Sequence, residues 1–132
     1  MANLPMNTDD KKALQREILL GFWKVHILHH ATEGPVVGQW MLQELRRHGY
    51  EVSPGTLYPI FHRMERLGWL RCEVDPEGGP RAKRSYFITA KGRRVLEAAR
   101  RSLKELTGEV EKPSEGEGGV TSRKATNRKR KR

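Results

Sequence analysis

The chain has one cysteine, Cys72, so no disulfide can form within it, and the sequence suits a reducing compartment rather than an oxidised scaffold. Long apolar runs are also missing. The longest, Ile18 to Trp23, falls far short of the roughly 20 residues that cross a bilayer. The amino terminus carries Asp9, Asp10, Lys11 and Lys12 without an apolar stretch and does not read as a signal peptide. A cytoplasmic protein with no membrane partner is expected. There is no phosphate-binding glycine loop, no nucleophile elbow and no zinc-protease signature, so no enzyme, catalytic residue or cofactor is expected.

What is present is positive charge. The net charge of the 132 residues is +10, and 32% of them are charged. So basic a balance points to an anionic partner, most commonly nucleic acid. Its distribution matters more than its sum. Residues 121 to 132 hold seven Lys and Arg and no acid, which leaves a net of +3 for everything before them. A nucleic-acid reading must therefore rest on where the charges of the folded part sit.

Length and a 36% hydrophobic content fit one domain with a modest core. Residues 1–8 read as a loose end, 9–111 as the domain and 112–132 as a disordered basic tail. The tail mixes Pro, Ser, Gly and Glu before its Lys/Arg run and cannot bury a core. From Asp9 to about His30 a proline-free helix is predicted. Leu14, Ile18, Phe22 and Val25 form one apolar face, and Leu20, Trp23 and Ile27 a second beside it. So wide an arc calls for two neighbours, one in the same domain and one in a second subunit.

Gly34-Pro35 closes that segment, and a second helix is predicted from Val36 to His48, with Val37, Met41, Leu42 and Leu45 inward and Gly49 as its stop. Ser53-Pro54 supplies a capping serine and a proline at the first helical position, opening a third helix that reaches Leu67. Its buried stripe is Leu57, Ile60, Phe61, Met64 and Leu67. Pro59 inside it costs about 3 kcal/mol, so the helix either starts late or has a distorted first turn. Trp69–Val74 and Lys83–Ile88 read as two strands around the turn sequence DPEGGPR. A last helix from Thr89 carries Leu96, Ala99, Leu103, Leu106 and Val110 at coiled-coil spacing.

The fold class expected from this order is mainly α with a small β-hairpin. It reads as a winged helix-turn-helix with N-terminal and C-terminal dimerisation helices. With its apolar stripe inward, the third helix presents Gly55, Thr56, Tyr58, Pro59, His62, Arg63 and Arg66. Small residues at a helix amino terminus allow close approach to a phosphate. Tyr58, His62 and Arg63 suit contacts in a major groove. Charged outer faces alone equally suit plain solvation. The hairpin directly after this helix, with Arg81, Lys83 and Arg84 placed to grip a DNA backbone, moves the balance towards double-stranded DNA. The rival is a non-specific architectural binder driven by the tail.

His26, His29 and His30 share one helical face at metal-ligand spacing. No cysteine or carboxylate pair accompanies them in sequence, and a closed site needs about four ligands, so no metal is expected.

Three stretches, SPGTLYPIF (residues 53–61), RMERLGWL and GGPRAKRSYFITAKGRRVL, resemble the PadR family of bacterial transcriptional regulators. The resemblance runs from about Ile18 to Leu106. It implies a winged helix whose first and last helices form a homodimer, a palindromic promoter site, and repression as the usual outcome. The short last helix is similar to the smaller branch of the family. On this resemblance Ser53, Gly55, Thr56 and Tyr58 match the recognition helix, and Arg81 to Arg84 the basic wing. Val37-Gly38-Gln39 departs from the family's His-Gly-Tyr, and Lys83-Arg84-Ser85-Tyr86 from its Arg-Lys-Tyr-Tyr. Some members bind aromatic effectors at the dimer interface, and on that ground Trp23 is a candidate pocket residue.

Overall fold

The computed structural model describes residues 5 to 112. Asn7 accepts a hydrogen bond from the Asp10 N–H at 2.8 Å and caps α1 (Thr8–Leu14), so the loose end stops before residue 8. The helical path continues through one wider π turn, Gln15–Leu19, into α2 (Leu20–Ala31). The two apolar faces of this segment have different fates. Trp23, Ile27, Leu28 and Ala31 are buried, whereas Leu14, Ile18 and Phe22 are 36%, 49% and 44% exposed.

Val36 and Val37 depart from the sequence reading. They form a two-residue strand, β1 (Val36–Val37), rather than the first turn of a helix. β-branched side chains suit a pleated surface, and a partner strand is at hand. α3 (Gly38–Arg47) follows, with Met41, Leu42 and Leu45 inward. It ends in a Schellman motif: Gly49 lies at φ +94° and donates to the Arg46 carbonyl, and Tyr50 donates to that of Leu45. The Arg46 guanidinium donates to the Val52 carbonyl at 3.1 Å and braces the turn into the next helix.

α4 (Pro54–Arg66) begins where the Ser-Pro signal places it and runs through Pro59, so a late start is not adopted. The expected serine cap is not made. The Thr56 and Leu57 N–H groups are both held by the Ser53 carbonyl at 3.0 Å, and the Ser53 hydroxyl donates to Thr56 Oγ1 instead. Leu57, Ile60, Phe61 and Met64 are buried, while Leu67 is half-buried. Gly68, at φ +82°, terminates the helix in a second Schellman motif.

β2 (Leu70–Val74) and β3 (Arg84–Ile88) form the hairpin, with a single 3₁₀ turn over Gly79–Arg81 at its tip. The sheet is antiparallel in the order β1-β3-β2, with Leu70 opposite Ile88 and Val74 opposite Arg84. Only the base of the hairpin belongs to the core: Leu70 and Tyr86 are buried, and Val74 is 43% exposed. Val74 sits at the outer end of β2, where the strand leaves the body of the domain.

α5 (Ala90–Val110) is capped by Thr89, whose hydroxyl accepts from the Gly92 N–H at 2.9 Å and donates to the Gly68 carbonyl at 2.6 Å. One compact unit of the chain ends at Ala99 and a second begins at Arg100. Leu96 is buried, whereas Leu106 and Val110 are 51% and 69% exposed. From residue 113 onward the predicted basic tail lies outside the described residues. Fully enclosed side chains, Trp23, Met41, Leu57, Phe61 and Met64 among them, join α2, α3 and α4 in one core.

Candidate nucleic-acid interface

Because α4 turns Leu57, Ile60, Phe61 and Met64 inward, its other face is left to solvent. Gly55, Tyr58, Pro59, His62, Arg63 and Arg66 are exposed on that face, and Thr56 is half-buried at its edge. Ser53 is exposed at the amino end. The Cβ position of Gly55 has only the Ser53 hydroxyl within 4 Å, at 3.8 Å, so backbone is open to an approaching anion. Pro59 lacks the N–H that the Gly55 carbonyl would otherwise accept, and both residues lie on the outward side.

Tyr58 is 37% exposed. Its ring is seated on the amino end of α3, where a Cβ on Gly38 would come within 2.5 Å of Tyr58 Cε1. Only a residue without a side chain lets the ring lie there. Gly38→Ala is accordingly expected to swing Tyr58 outward while leaving the core intact. Duplex affinity should fall with an unchanged melting temperature, measured by fluorescence anisotropy beside thermal denaturation. An unchanged affinity would remove Tyr58 from the interface. The Gly38–Tyr58 fit was not legible in the sequence, since the two residues belong to different helices.

On the wing, charge is divided between the two arms. Glu73, Asp75 and Glu77 lie on the outgoing arm and the turn, and Asp75 accepts from the Glu77 N–H at 3.0 Å. Arg71 pairs with Glu73 and lies over the Phe87 ring at 4.4 Å, which ties its charge to the hairpin itself. The returning arm carries Arg81, Lys83 and Arg84, all exposed. No acid occurs from Gly78 to Leu96, a stretch that also supplies exposed Lys91, Arg93 and Arg94. These last three add to the basic surface beyond the residues picked from sequence. Arg84 reaches back to Cys72 Sγ at 3.8 Å. Tyr86 is buried and stacks on Phe61 at 4.5 Å, and burial pushes its hydroxyl up to about 12. It serves the core, not the outer surface.

Trp23 is fully enclosed within its own subunit, with its ring edge-on to Tyr50 at 5.5 Å. It lies on the buried face of α2, whereas Ile18 and Phe22 are exposed. A surface groove beside the carboxyl end of α2 is lined by His30, Pro35, Val37, Trp40 and Lys83.

α3, the braced turn, α4 and the basic hairpin together define a winged helix-turn-helix, the architecture of a DNA-binding protein. Comparison with known proteins narrows the class. The pattern of the transcriptional regulator PadR-like family matches residues 27–98. The transcriptional regulator Rv3488 of Mycobacterium tuberculosis is 50% identical over 95 residues, covering 72% of this chain and 88% of that protein. Among solved structures, a PadR family transcriptional regulator from Eggerthella lenta superposes with a TM-score of 0.64 at 29% identity, covering 77% of this chain and 89% of the other. A PadR-like regulator from Bacillus cereus shares the fold, with a TM-score of 0.61 at 24% identity and coverage of 74% and 92%. The chain belongs to the PadR-like family of transcriptional regulators. It is a DNA-binding regulator, not an enzyme. Among the described residues no helix is long and apolar enough to cross a membrane.

Proposed function

We propose that the protein is a sequence-specific repressor that binds a palindromic promoter site in the cytoplasm as a homodimer. The observation that carries this reading is the exposed face of α4, with Tyr58, His62 and Arg63 at its centre, beside a returning wing arm whose charged residues, Arg81, Lys83 and Arg84, are all basic. Base edges are read by the helix, and the wing holds the flanking backbone. Dimerisation is supported by the apolar stripe Leu14, Ile18 and Phe22, left uncovered by the subunit itself, and by exposed Leu106 and Val110 on α5. A two-fold symmetric protein calls for a two-fold symmetric site. Trp23 is assigned to the core and not to an effector site.

Two substitutions separate the roles. Tyr58→Ala should cost roughly 1–3 kcal/mol on the specific site and little on random duplex. Arg84→Ala should weaken both about equally and lower the salt slope by about one unit. Equal losses from both variants on both duplexes would contradict this division. The non-specific architectural alternative is tested by removing residues 112–132. Sequence-selective binding survives that deletion under our reading, and binding collapses if the tail alone drives it.

A further inference from the structure

The histidines of α2 do not stand alone in the fold. α3 brings a carboxylate and a further imidazole against them. Glu44, only 10% exposed at its side chain, lies with Oε2 at 3.1 Å from His48 Nε2 and 3.4 Å from His30 Nε2. The His26 ring stacks on His30 at 5.0 Å and meets His48 edge-on at 4.8 Å. One ligand atom from each of His26, Glu44 and His48 lies within 4.8 Å of the others. His30 Nε2 is shut off from solvent and makes no hydrogen bond.

We infer that His26, Glu44 and His48 form a binding site for a divalent transition-metal ion of the zinc type, bridging α2 and α3. Two imidazoles and one carboxylate are the donor set such ions take, whereas calcium and magnesium require oxygen. Bonds of about 2.0–2.1 Å to N and O place tetrahedral ligands roughly 3.4 Å apart. Glu44 and His48 already stand at 3.1 Å, and all three ligand atoms lie within 4.8 Å of one another.

The occupant of this site in the metal-free protein is Arg47. Its guanidinium donates to both carboxylate oxygens of Glu44, at 2.7 and 3.1 Å. The Arg47 side chain is 68% exposed, so it has room to swing into solvent when a metal takes the carboxylate. From sequence no metal is expected, because neither a cysteine nor a carboxylate pair accompanies the α2 histidines and a closed site needs about four ligands. The fold adds Glu44 and His48 from α3, which gives three ligands.

A second grouping, His29, His30 and Glu33, lies near the carboxyl end of α2. All three ligands come from one stretch of chain, and nothing in that grouping ties two helices together. We therefore place the ion between α2 and α3.

The test is titration of the untagged full chain with Co²⁺, followed by its visible absorption, with Zn²⁺ displacement measured by calorimetry. One saturable ion per chain is expected, together with a rise in the unfolding midpoint when Zn²⁺ is present. Glu44→Gln and His48→Ala should each weaken binding by at least about tenfold, because even outer-shell losses cost that much. His29→Ala should leave affinity unchanged. If Glu44→Gln impairs folding, His48→Ala carries the test, since its side chain is 41% exposed and outside the core. No saturable Co²⁺ binding would overturn the proposal. So would a loss confined to His29→Ala, which would move the ion to the other grouping.

Discussion

For the homodimer proposed above, changing Ile18 and Phe22 together to glutamate should give a monomer and lower affinity for a palindromic duplex by roughly 10²–10⁴-fold. The two side chains are 49% and 44% exposed in the single subunit, so the folded chain does not need them for its own core. Between subunits, four carboxylates would be forced into an apolar contact, where unpaired charge is heavily penalised. The loss in DNA binding then arises from linkage. Two recognition helices on one rigid dimer bind half-sites as a single event, while separate monomers lose that effective concentration. Sedimentation velocity and anisotropy on full and half sites check both parts. The expected outcome is a monomer with unchanged half-site affinity and an unchanged circular dichroism spectrum. A variant that remains dimeric would show that this stripe is not the interface.

The second large effect concerns stability and a pair of glycines on one helix. A Cβ on Gly92 would meet the backbone oxygen of Trp69 at 2.2 Å and Ile88 Cγ1 at 2.9 Å. Backbone cannot turn aside as a side chain does, and the Thr89 cap holds this turn against the α4–β2 link. Gly92→Ala should therefore cost about 3 kcal/mol, the upper part of the usual overpacking range, and lower Tm by roughly 10 °C. At Gly108 the same Cβ meets nothing within 4 Å. Gly108→Ala should stabilise by up to about 1 kcal/mol, through helix propensity alone. The same substitution on one helix is thus expected to act with opposite signs. Thermal and urea denaturation check it, and equal shifts would contradict the packing of α5 on the Trp69 carbonyl.

Much of the fold is written in local signals. Gly49 and Gly68 stop α3 and α4 because each adopts a positive φ that side chains resist. Ser53-Pro54 marks the start of α4 even though the serine cap itself is not used. Signals that depend on a distant partner were not legible. Val36 and Val37 join a sheet only because β3 returns beside them, with Tyr86 and Ser85 as partners from far along the chain. Helical periodicity separated the Ile18 face from the Trp23 face, but an angle alone does not say which face meets the core.

The candidate interface divides in the same way. Exposed positions on α4 follow from the stripe that is buried, so Tyr58, His62 and Arg63 were available from spacing alone. The seat of Tyr58 on Gly38 and the meeting of His26 with Glu44 both join side chains from different helices. Such contacts are set by packing, which the sequence specifies only through the whole fold.

Selection of bound duplexes from a random library, with the full chain at salt high enough to suppress tail-driven binding, tests the central claim most directly. A sequence-specific dimer predicts an enriched motif with two-fold symmetry, lost in Tyr58→Ala. Recovery of unenriched sequences by a folded, dimeric protein would contradict it.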